Sequence, residues 1–530
     1  MKVKFYWLLI AIFILALTAR FYRIGSVPRS LNWDETTFGY SAYSLLLTGK
    51  DEWGATMPLQ LRSIGDYKNP MYAYLTVLPV KLFGLSEFSV RLAPAVLGSL
   101  AVLMFTLTAW KFLGNKKLAL WAGLMLAVSP WQLQFTRAGA DVGVSTFFTI
   151  SGITLILFNK PLSAAMMLAG SMYSYFSDKL FVPMLLPFLV RKRKVLFLAV
   201  FLLLSLGSIT TYFSAGHKGK IFMTTLLSYR TQQETIDKLR AGDSPLLYRI
   251  FHNDWGQRAR MFADRFFNHF SPSFLFAEGP QDNRQRIWKM GMMYWPEFIL
   301  LAGALVFADR LKIKNKRLLV IWTILAVIPS VITKDAVHAR RAINLVYPLM
   351  IWAAATGGYI LSITPGKLRK VVAGGYFLIW ILAIGFYLCS YYVWTPIRTA
   401  KGSGGWQYGY KQLVNFVTPI ASEYSQIIVD PYYQGPFSFF LFYQKYPPAK
   451  YQAQAKLIIS DELSLGESPG FDKYLFRTIY WPNDRSLKNT LFAGPPERLP
   501  EKDIDGVKAK LLKIIYFPDG EEAWVIVETI

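Results

Sequence analysis

The tripeptide Trp33-Asp34-Glu35 follows the first apolar run of the chain and opens a long loop. Adjacent carboxylates beside a membrane surface cost free energy unless they are solvated or put to use. A carboxyl partly shielded by an aromatic such as Trp33 rises in pKa toward working pH and can take a proton from an acceptor hydroxyl. Asp34 and Glu35 are therefore candidate catalytic residues. The same residues also fit a helix start: Asn32 or Asp34 would cap a helix near 35–48, with Glu35 in its first turn. The two readings are compatible.

Three further clusters could share that chemistry. In Arg137-Ala138-Gly139-Ala140-Asp141 the charged ends are four residues apart, so on a helix they share a face. Either they form an ion pair that anchors a helix end, or Asp141 is a second carboxylate facing Asp34 across a cleft. In Asp66-Tyr67-Lys68-Asn69-Pro70, Lys68 directly precedes a helix that starts at Pro70. A cation there meets either the phosphate of a lipid carrier or ordinary headgroups by snorkelling. The last cluster is Lys334-Asp335-Ala336-Val337-His338-Ala339-Arg340-Arg341. Paired arginines in a short non-cytoplasmic loop run against the inside-positive bias, which favours phosphate binding over simple headgroup contact. Trp33, Tyr67, Tyr72 and His338 neighbour these groups and are candidates for contacting acceptor or lipid.

These residues need a membrane framework. The chain has 530 residues, 53% hydrophobic and 17% charged, and apolar runs of roughly 15–25 residues recur between short basic breaks. Spans are expected near 3–20, 88–112, 118–135, 142–158, 162–177, 179–190, 195–213, 291–309, 318–333, 342–363 and 371–394, about eleven in all. With the N-terminus cytoplasmic, the inner loops at 116–117, 160, 191–194, 310–317 and 367–370 are almost purely basic. Asp34, Glu35, Asp66, Asp141, Asp178 and Asp335 then face outward. The first run also fits a cleaved signal peptide, with Lys2, Lys4 and Ala19, and its removal would leave the other spans unchanged.

Residues 1–394 hold 43 Lys+Arg against 18 Asp+Glu, whereas residues 395–530 hold 15 of each. The net charge of +25 therefore belongs to the membrane part. A neutral tail gives no basic face for nucleic acid. One cysteine, Cys389, excludes an intrachain disulfide, and four histidines argue against a His-rich metal site. Loops 21–87 and 214–290 are long enough to be functional. The tail 395–530 reads as a separate, small extracytoplasmic α/β domain. It has a helix over 406–423, strands at 426–430 and 456–460, and a hairpin made of 512–517 and 524–530 around Pro518-Asp519-Gly520.

The chain resembles the GT-C class of polytopic membrane glycosyltransferases, in the branch of protein O-mannosyltransferases and lipid A aminoarabinose transferases. Asp34-Glu35 is similar to that family's first-loop acidic motif. Lys68-Asn69-Pro70-Met71-Tyr72 is similar to its Lys-Pro-Pro-Leu-Tyr stretch, with Asn69 in place of a proline. Arg91-Leu92-Ala93-Pro94 fits its Arg-Leu-Pro pattern, and Arg137 through Asp141 resembles the segment with its second acidic residue. Ser271-Pro272-Ser273-Phe274-Leu275-Phe276 and Gly291 are similar to the end of its large loop. The resemblance implies an all-α polytopic domain over 1–394 and a polyprenyl-phosphate-sugar donor. It implies inverting transfer on the non-cytoplasmic face to a lipid, glycan or protein acceptor, in a multi-pass protein of a prokaryotic cell membrane. By that analogy Asp34 is the base and Asp141 positions the acceptor, while Lys68, Arg137, Arg340 and Arg341 hold the departing phosphate. No cofactor is expected, although two facing acids could hold a divalent ion. The alternative is a transporter or flippase of lipid-linked sugars. That function would be expected to show internal repeats and midplane polar residues, and neither is evident.

Overall fold

In the computed structural model the described residues are 2–530 apart from 64–65, 191–193, most of 215–252, 402–404, 457, 460–465 and 505. Residues 1–394 form a helical bundle. Among the described residues, five helical stretches are long and apolar enough to cross a membrane: Lys4–Phe21, Glu87–Leu113, Lys194–Phe213, Ile343–Ile363 and Gly366–Arg398. A sixth is the pair Lys116–Ala127 and Pro130–Arg137, bent by 51°. Pro130 opens the second member of that pair, and a proline has no N–H to continue the first.

The remaining expected spans also contain helices, but short ones. Pro161–Met172, Asp178–Leu189 and Trp295–Val306 have 12 residues each. Twelve residues rise about 18 Å, well short of a hydrocarbon core of about 30 Å. The expected span 318–333 divides into Lys316–Leu325 and Ile328–Val331, with Pro329 in the second piece. Apolar composition thus located the segments; Asp178–Leu189 matches its expected 179–190 in length, while the helices in 162–177, 291–309 and 318–333 are shorter than expected.

The bundle has a basic end and a cavity end, and the helix Glu87–Leu113 runs from the second to the first. At the basic end the backbone N–H of Lys314 donates to Phe112 O at 2.7 Å. The Lys116 ammonium lies 4.8 Å from the Phe5 ring centre, and that of Lys111 lies 4.1 Å from Phe158. At the other end Arg91, one turn into the same helix, reaches Glu35.

Between the first two long helices, Trp33–Thr48 and Met71–Phe83 form as expected, joined by a hairpin that pairs Leu61–Ser63 with Asp66–Lys68. Asn32, rather than Asp34, is the cap. Its side chain accepts from Glu35 N and the Glu35 carboxylate accepts from Asn32 N, each at 3.0 Å. Gly49, at φ 70°, ends the helix in the left-handed conformation.

The tail forms a six-stranded mixed sheet. Its order is Gly470–Phe471, Tyr474–Phe476, Gln426–Val429, Thr490–Gly494, Glu522–Thr529, Ala509–Tyr516. Gln426–Val429 pairs in parallel with both neighbours, and the last two strands in the order are the expected hairpin. Within the expected strand at 456–460, Ile458–Ile459 is a strand paired outside this sheet, and 457 and 460 lie outside the described residues. The expected helix is Tyr410–Ile420.

The expectation of a separate tail meets a shared core. Leu31, Phe38, Tyr40 and Tyr72 of the first loop pack in one apolar cluster with Tyr410, Phe437, Phe442 and Trp524. At Gly39 the approach is so close that an added Cβ would sit 2.6 Å from both Phe442 and Val90. Burying these aromatics, at roughly 25 cal/mol per Å² of apolar surface, fixes the first loop against the tail.

Candidate active site

At the cavity end a cleft of about 360 Å³ brings together residues far apart in sequence. Asp34, Lys68, Asp141, Arg340 and Arg341 all line it. Trp33, Tyr67 and His338 line it as well. Asp34 comes from the first turn of Trp33–Thr48 and Lys68 from the end of the small hairpin. Asp141 opens the helix Asp141–Leu157, where the N-terminal dipole favours negative charge. Arg340 and Arg341 lie in the segment before Ile343–Leu345.

Asp34 is clamped between two cations. Its Oδ1 is 2.8 Å from Lys68 Nζ, and its Oδ2 is 3.4 Å from Arg340 Nη1. Lys68 also pairs with Asp66 at 2.9 Å. Burial alone would raise the Asp34 carboxyl, but Lys68, Arg340 and Arg284 together hold it well below the usual carboxylate range. Burial would lower the Lys68 ammonium, yet Asp34 and Asp66 raise it. Arg341 pairs with Asp335, and its Nη1 donates to Thr333 Oγ1 at 2.8 Å. Burial, followed by the charges of Arg341, Arg340 and Arg284, pushes His338 well below its usual range, so it is neutral near pH 7. Gln285 links two members of this loop. Its amide nitrogen lies 3.1 Å from His338 Nε2, and its oxygen accepts from Arg340 N at 3.2 Å.

Three expected site residues lie elsewhere, each for a visible reason. Glu35 is fully buried and turned away from the cleft, 2.7 Å from Arg91 Nε. Arg91 itself donates to the carbonyls of Ile24, Pro28 and Ser30. One helical position separates the two carboxylates by about 100°, so one faces the cleft and the other the core. Arg137 donates to Ala19 O, Arg20 O and Tyr22 O at 2.7–2.8 Å and closes the end of the first helix. Tyr72 is buried beside Phe38 and donates to Val90 O at 2.8 Å.

The cleft also uses residues that sequence reasoning missed. The Arg284 guanidinium lies 4.6 Å from the Trp33 ring centre and pairs with Asp282 at 3.1 Å. It falls between Ser271–Phe276 and Gly291, the two ends of the large-loop motif, and that position was the available signal. Tyr175 lines the cleft from a turn that lies inside an expected span. The tail contributes indirectly: Gln407 Oε1 accepts from Trp33 N at 2.8 Å, and its amide nitrogen donates to Tyr433 O at 2.6 Å. Among the described residues no group of three or more His, Cys, Asp or Glu is arranged to hold a metal ion.

The segment that carries Asp34, Lys68 and Asp141 has a family signature. Residues 10–227 match the dolichyl-phosphate-mannose-protein mannosyltransferase family. The whole chain also has solved structural relatives. ArnT from Cupriavidus metallidurans, bound to undecaprenyl phosphate, superimposes with TM-score 0.52 at 12% identity over 99% of this chain and 97% of that one. The archaeal oligosaccharyltransferase AglB from Archaeoglobus fulgidus, in complex with an inhibitory peptide and a dolichol-phosphate, gives TM-score 0.52 at 12% identity. The alignment covers 99% of this chain and 74% of AglB. At such identities the likeness is one of fold alone. No match is found among curated protein sequences. The resemblance read from the motifs is therefore met by the family match over residues 10–227, and the expected fold by the structural likeness.

Proposed function

We propose that this protein is an integral membrane glycosyltransferase. It moves a sugar from a polyprenyl-phosphate carrier to an acceptor hydroxyl on the non-cytoplasmic face. The observation that carries this reading is the convergence of Asp34 with Lys68 and Arg340 in one cleft, with Asp141 and Arg341 on its wall. The basic end of the bundle fits the cytoplasmic side under the inside-positive bias, which leaves the cleft on the opposite face.

In the free enzyme Asp34 occupies the cations that a donor phosphate needs. When the phosphate arrives it shares Lys68 and Arg340, and the carboxylate regains basicity as its clamp weakens. Asp34 then accepts the acceptor's hydroxyl proton. The oxygen attacks the anomeric carbon from the side opposite the phosphate, the carbon–oxygen bond to the phosphate breaks, and the configuration inverts. Negative charge grows on the departing phosphate next to Lys68, Arg340 and Arg341, which are already in place and need little reorganisation. Asp141 faces the same space and positions the acceptor. The reaction is proposed to need no metal.

The test is transfer from a series of polyprenyl-phosphate sugars by the purified full chain. Asp34→Asn is expected to lower kcat by about 10²–10⁴-fold, the range for a positioned base. Wild-type turnover in that variant would remove the proposed base. Full activity is expected in a chelator, and a loss restored by Mn²⁺ or Mg²⁺ would overturn the metal-free mechanism.

A further inference from the structure

Outside the cleft, a second cavity of about 340 Å³ opens at the cavity-side end of the helix Gly366–Cys389. Trp288, Lys289, Phe386, Cys389, Trp394 and Arg398 line it. Two cations flank one ring. The guanidiniums of Arg286 and Arg398 lie 5.7 and 5.3 Å from the Trp288 centroid.

Cations that line the cleft have carboxylate partners: Lys68 with Asp34 and Asp66, Arg284 with Asp282, Arg341 with Asp335. Among the described residues no carboxylate pairs with Arg286, Lys289 or Arg398. The Nε of Arg286 is buried with no hydrogen-bond partner, a state that costs free energy until an acceptor arrives. The site is also built rather than incidental. The chain widens into a π-turn over Ser390–Trp394, a feature frequent at functional sites. Around that turn Ser390 Oγ donates to Trp288 O, and Trp288 N donates to Thr395 Oγ1 at 3.0 Å.

Unpaired cations above an apolar, lipid-facing helix end match one ligand chemistry. We propose that this cavity binds the phosphate headgroup of an anionic phospholipid from the membrane leaflet on the cleft side, separately from the donor. The headgroup phosphate meets Lys289 and Arg398, with Arg286 adding positive charge from behind Trp288. Trp288 and Trp394 sit at the interface, and an acyl chain runs past Phe386 and Cys389. The segment that carries Trp288 also carries Arg284 into the catalytic cleft, so a bound lipid braces one wall of the active site.

The test uses the full chain in detergent, incubated with equimolar phosphatidylglycerol and phosphatidylcholine, and counts retained lipids by native mass spectrometry. Lys289 and Arg398 are exposed, so the variant Lys289→Gln/Arg398→Gln is expected to fold. Each removed cation near the surface is worth about fivefold in anionic-lipid affinity. The double variant should therefore lose about 20-fold of the preference for phosphatidylglycerol, while its affinity for polyprenyl phosphate stays unchanged. Three results would overturn the proposal: an undiminished preference in the variant, a loss of polyprenyl-phosphate affinity in its place, or displacement of the lipid by millimolar glycerol 3-phosphate. None of these readouts depends on transfer activity, so the lipid site stands or falls apart from the proposed reaction.

Discussion

Removing the negative charge of Asp34 should separate binding from chemistry in opposite directions. The carboxylate oxygens lie 2.8 Å from Lys68 Nζ and 3.4 Å from Arg340 Nη1. A phosphate oxygen that takes the same two nitrogens at hydrogen-bond distance sits about 6 Å from that carboxylate. At an effective dielectric of about 20–40, two unit charges at that separation repel by about 1.4–2.8 kcal/mol. Asp34→Asn removes this repulsion and also frees the cations. Polyprenyl phosphate without its sugar should therefore bind about 10–100-fold more tightly to the variant than to the wild type. Transfer should nonetheless collapse, because an amide accepts no proton. Lys68 keeps Asp66 at 2.9 Å and Arg340 keeps the nearby charges of Asp141 and Asp282, so neither cation is left uncompensated and the fold should hold.

The assay is direct titration of a fluorescent polyprenyl phosphate into each purified protein, at two ionic strengths, with thermal unfolding as a check on folding. Raising the salt should narrow the gap between variant and wild type, because the effect is Coulombic. Weaker or equal binding by a variant with an unchanged Tm would refute the reasoning. It would mean that the donor phosphate does not sit on the cations that clamp Asp34.

Other substitutions test the division of labour around the cleft. Glu35→Gln leaves the buried Arg91 without its counter-charge and should cost about 3–5 kcal/mol of stability, read as a lowered Tm, while turnover per folded molecule is kept. A loss of turnover with unchanged Tm would return Glu35 to the catalytic set. Gly139 has φ 49°, and a Cβ there would run into the Glu35 carboxylate. Gly139→Ala should therefore destabilise by about 2–4 kcal/mol, from left-handed strain plus overpacking, and a neutral result by denaturant unfolding would remove that contact. Glu52 is buried at the seam between the first loop and the tail, accepts from Ser41 Oγ at 2.7 Å, and is pushed up to about 8 by burial and then by Asp51. A raised carboxyl favours the folded state fully below its unfolded value of 4.5 and loses that contribution as pH climbs toward about 8. Glu52→Gln keeps the neutral form at every pH, so its Tm should exceed the wild type's by about 2–4 °C at pH 8 and match it near pH 4.5. Equal Tm values at both pH values would mean that Glu52 ionises in the folded protein at little cost.

Residue type and local pattern made the ingredients of the site legible. Paired arginines in a short loop on the side opposite the basic loops stood out against the inside-positive rule, and Lys68 stood out by preceding a proline-started helix. What local pattern could not decide was direction. Asp34 and Glu35 are adjacent and chemically alike, yet a single helical step sends one to the cleft and the other to Arg91. Arg137 looked like a phosphate ligand or the partner of Asp141. It instead serves the carbonyls at the end of the first helix, a demand set by a segment more than 100 residues away. Some expected spans erred in length for a related reason. Hydropathy registers that a segment is apolar, not how far its helix runs: the expected span 291–309 holds the helix Trp295–Val306, 12 residues that need not cross the bilayer alone, whereas 179–190 is met at its expected length by Asp178–Leu189.

The shared core of first loop and tail follows from the same geometry. A base that must be held between two cations to within a few tenths of an ångström cannot ride on a loop that is free at a membrane surface. The helix that presents Asp34 is short, 16 residues, and on the membrane side it is held by Glu35 on Arg91, by Gly39 against Val90 and by Phe38 against Tyr72. Its opposite face is covered by the tail helix Pro436–Tyr443, through Gly39 against Phe442 and Thr36 Oγ1 2.8 Å from Ser438 Oγ. Gln407 holds the first backbone N–H of that helix, next to the base itself. The tail therefore acts as the back wall of the helix that carries the proposed base. Its neutral surface charge is consistent with that duty: what it supplies is packing and fixed hydrogen bonds, while the charge that meets the phosphate comes from the bundle and its loops.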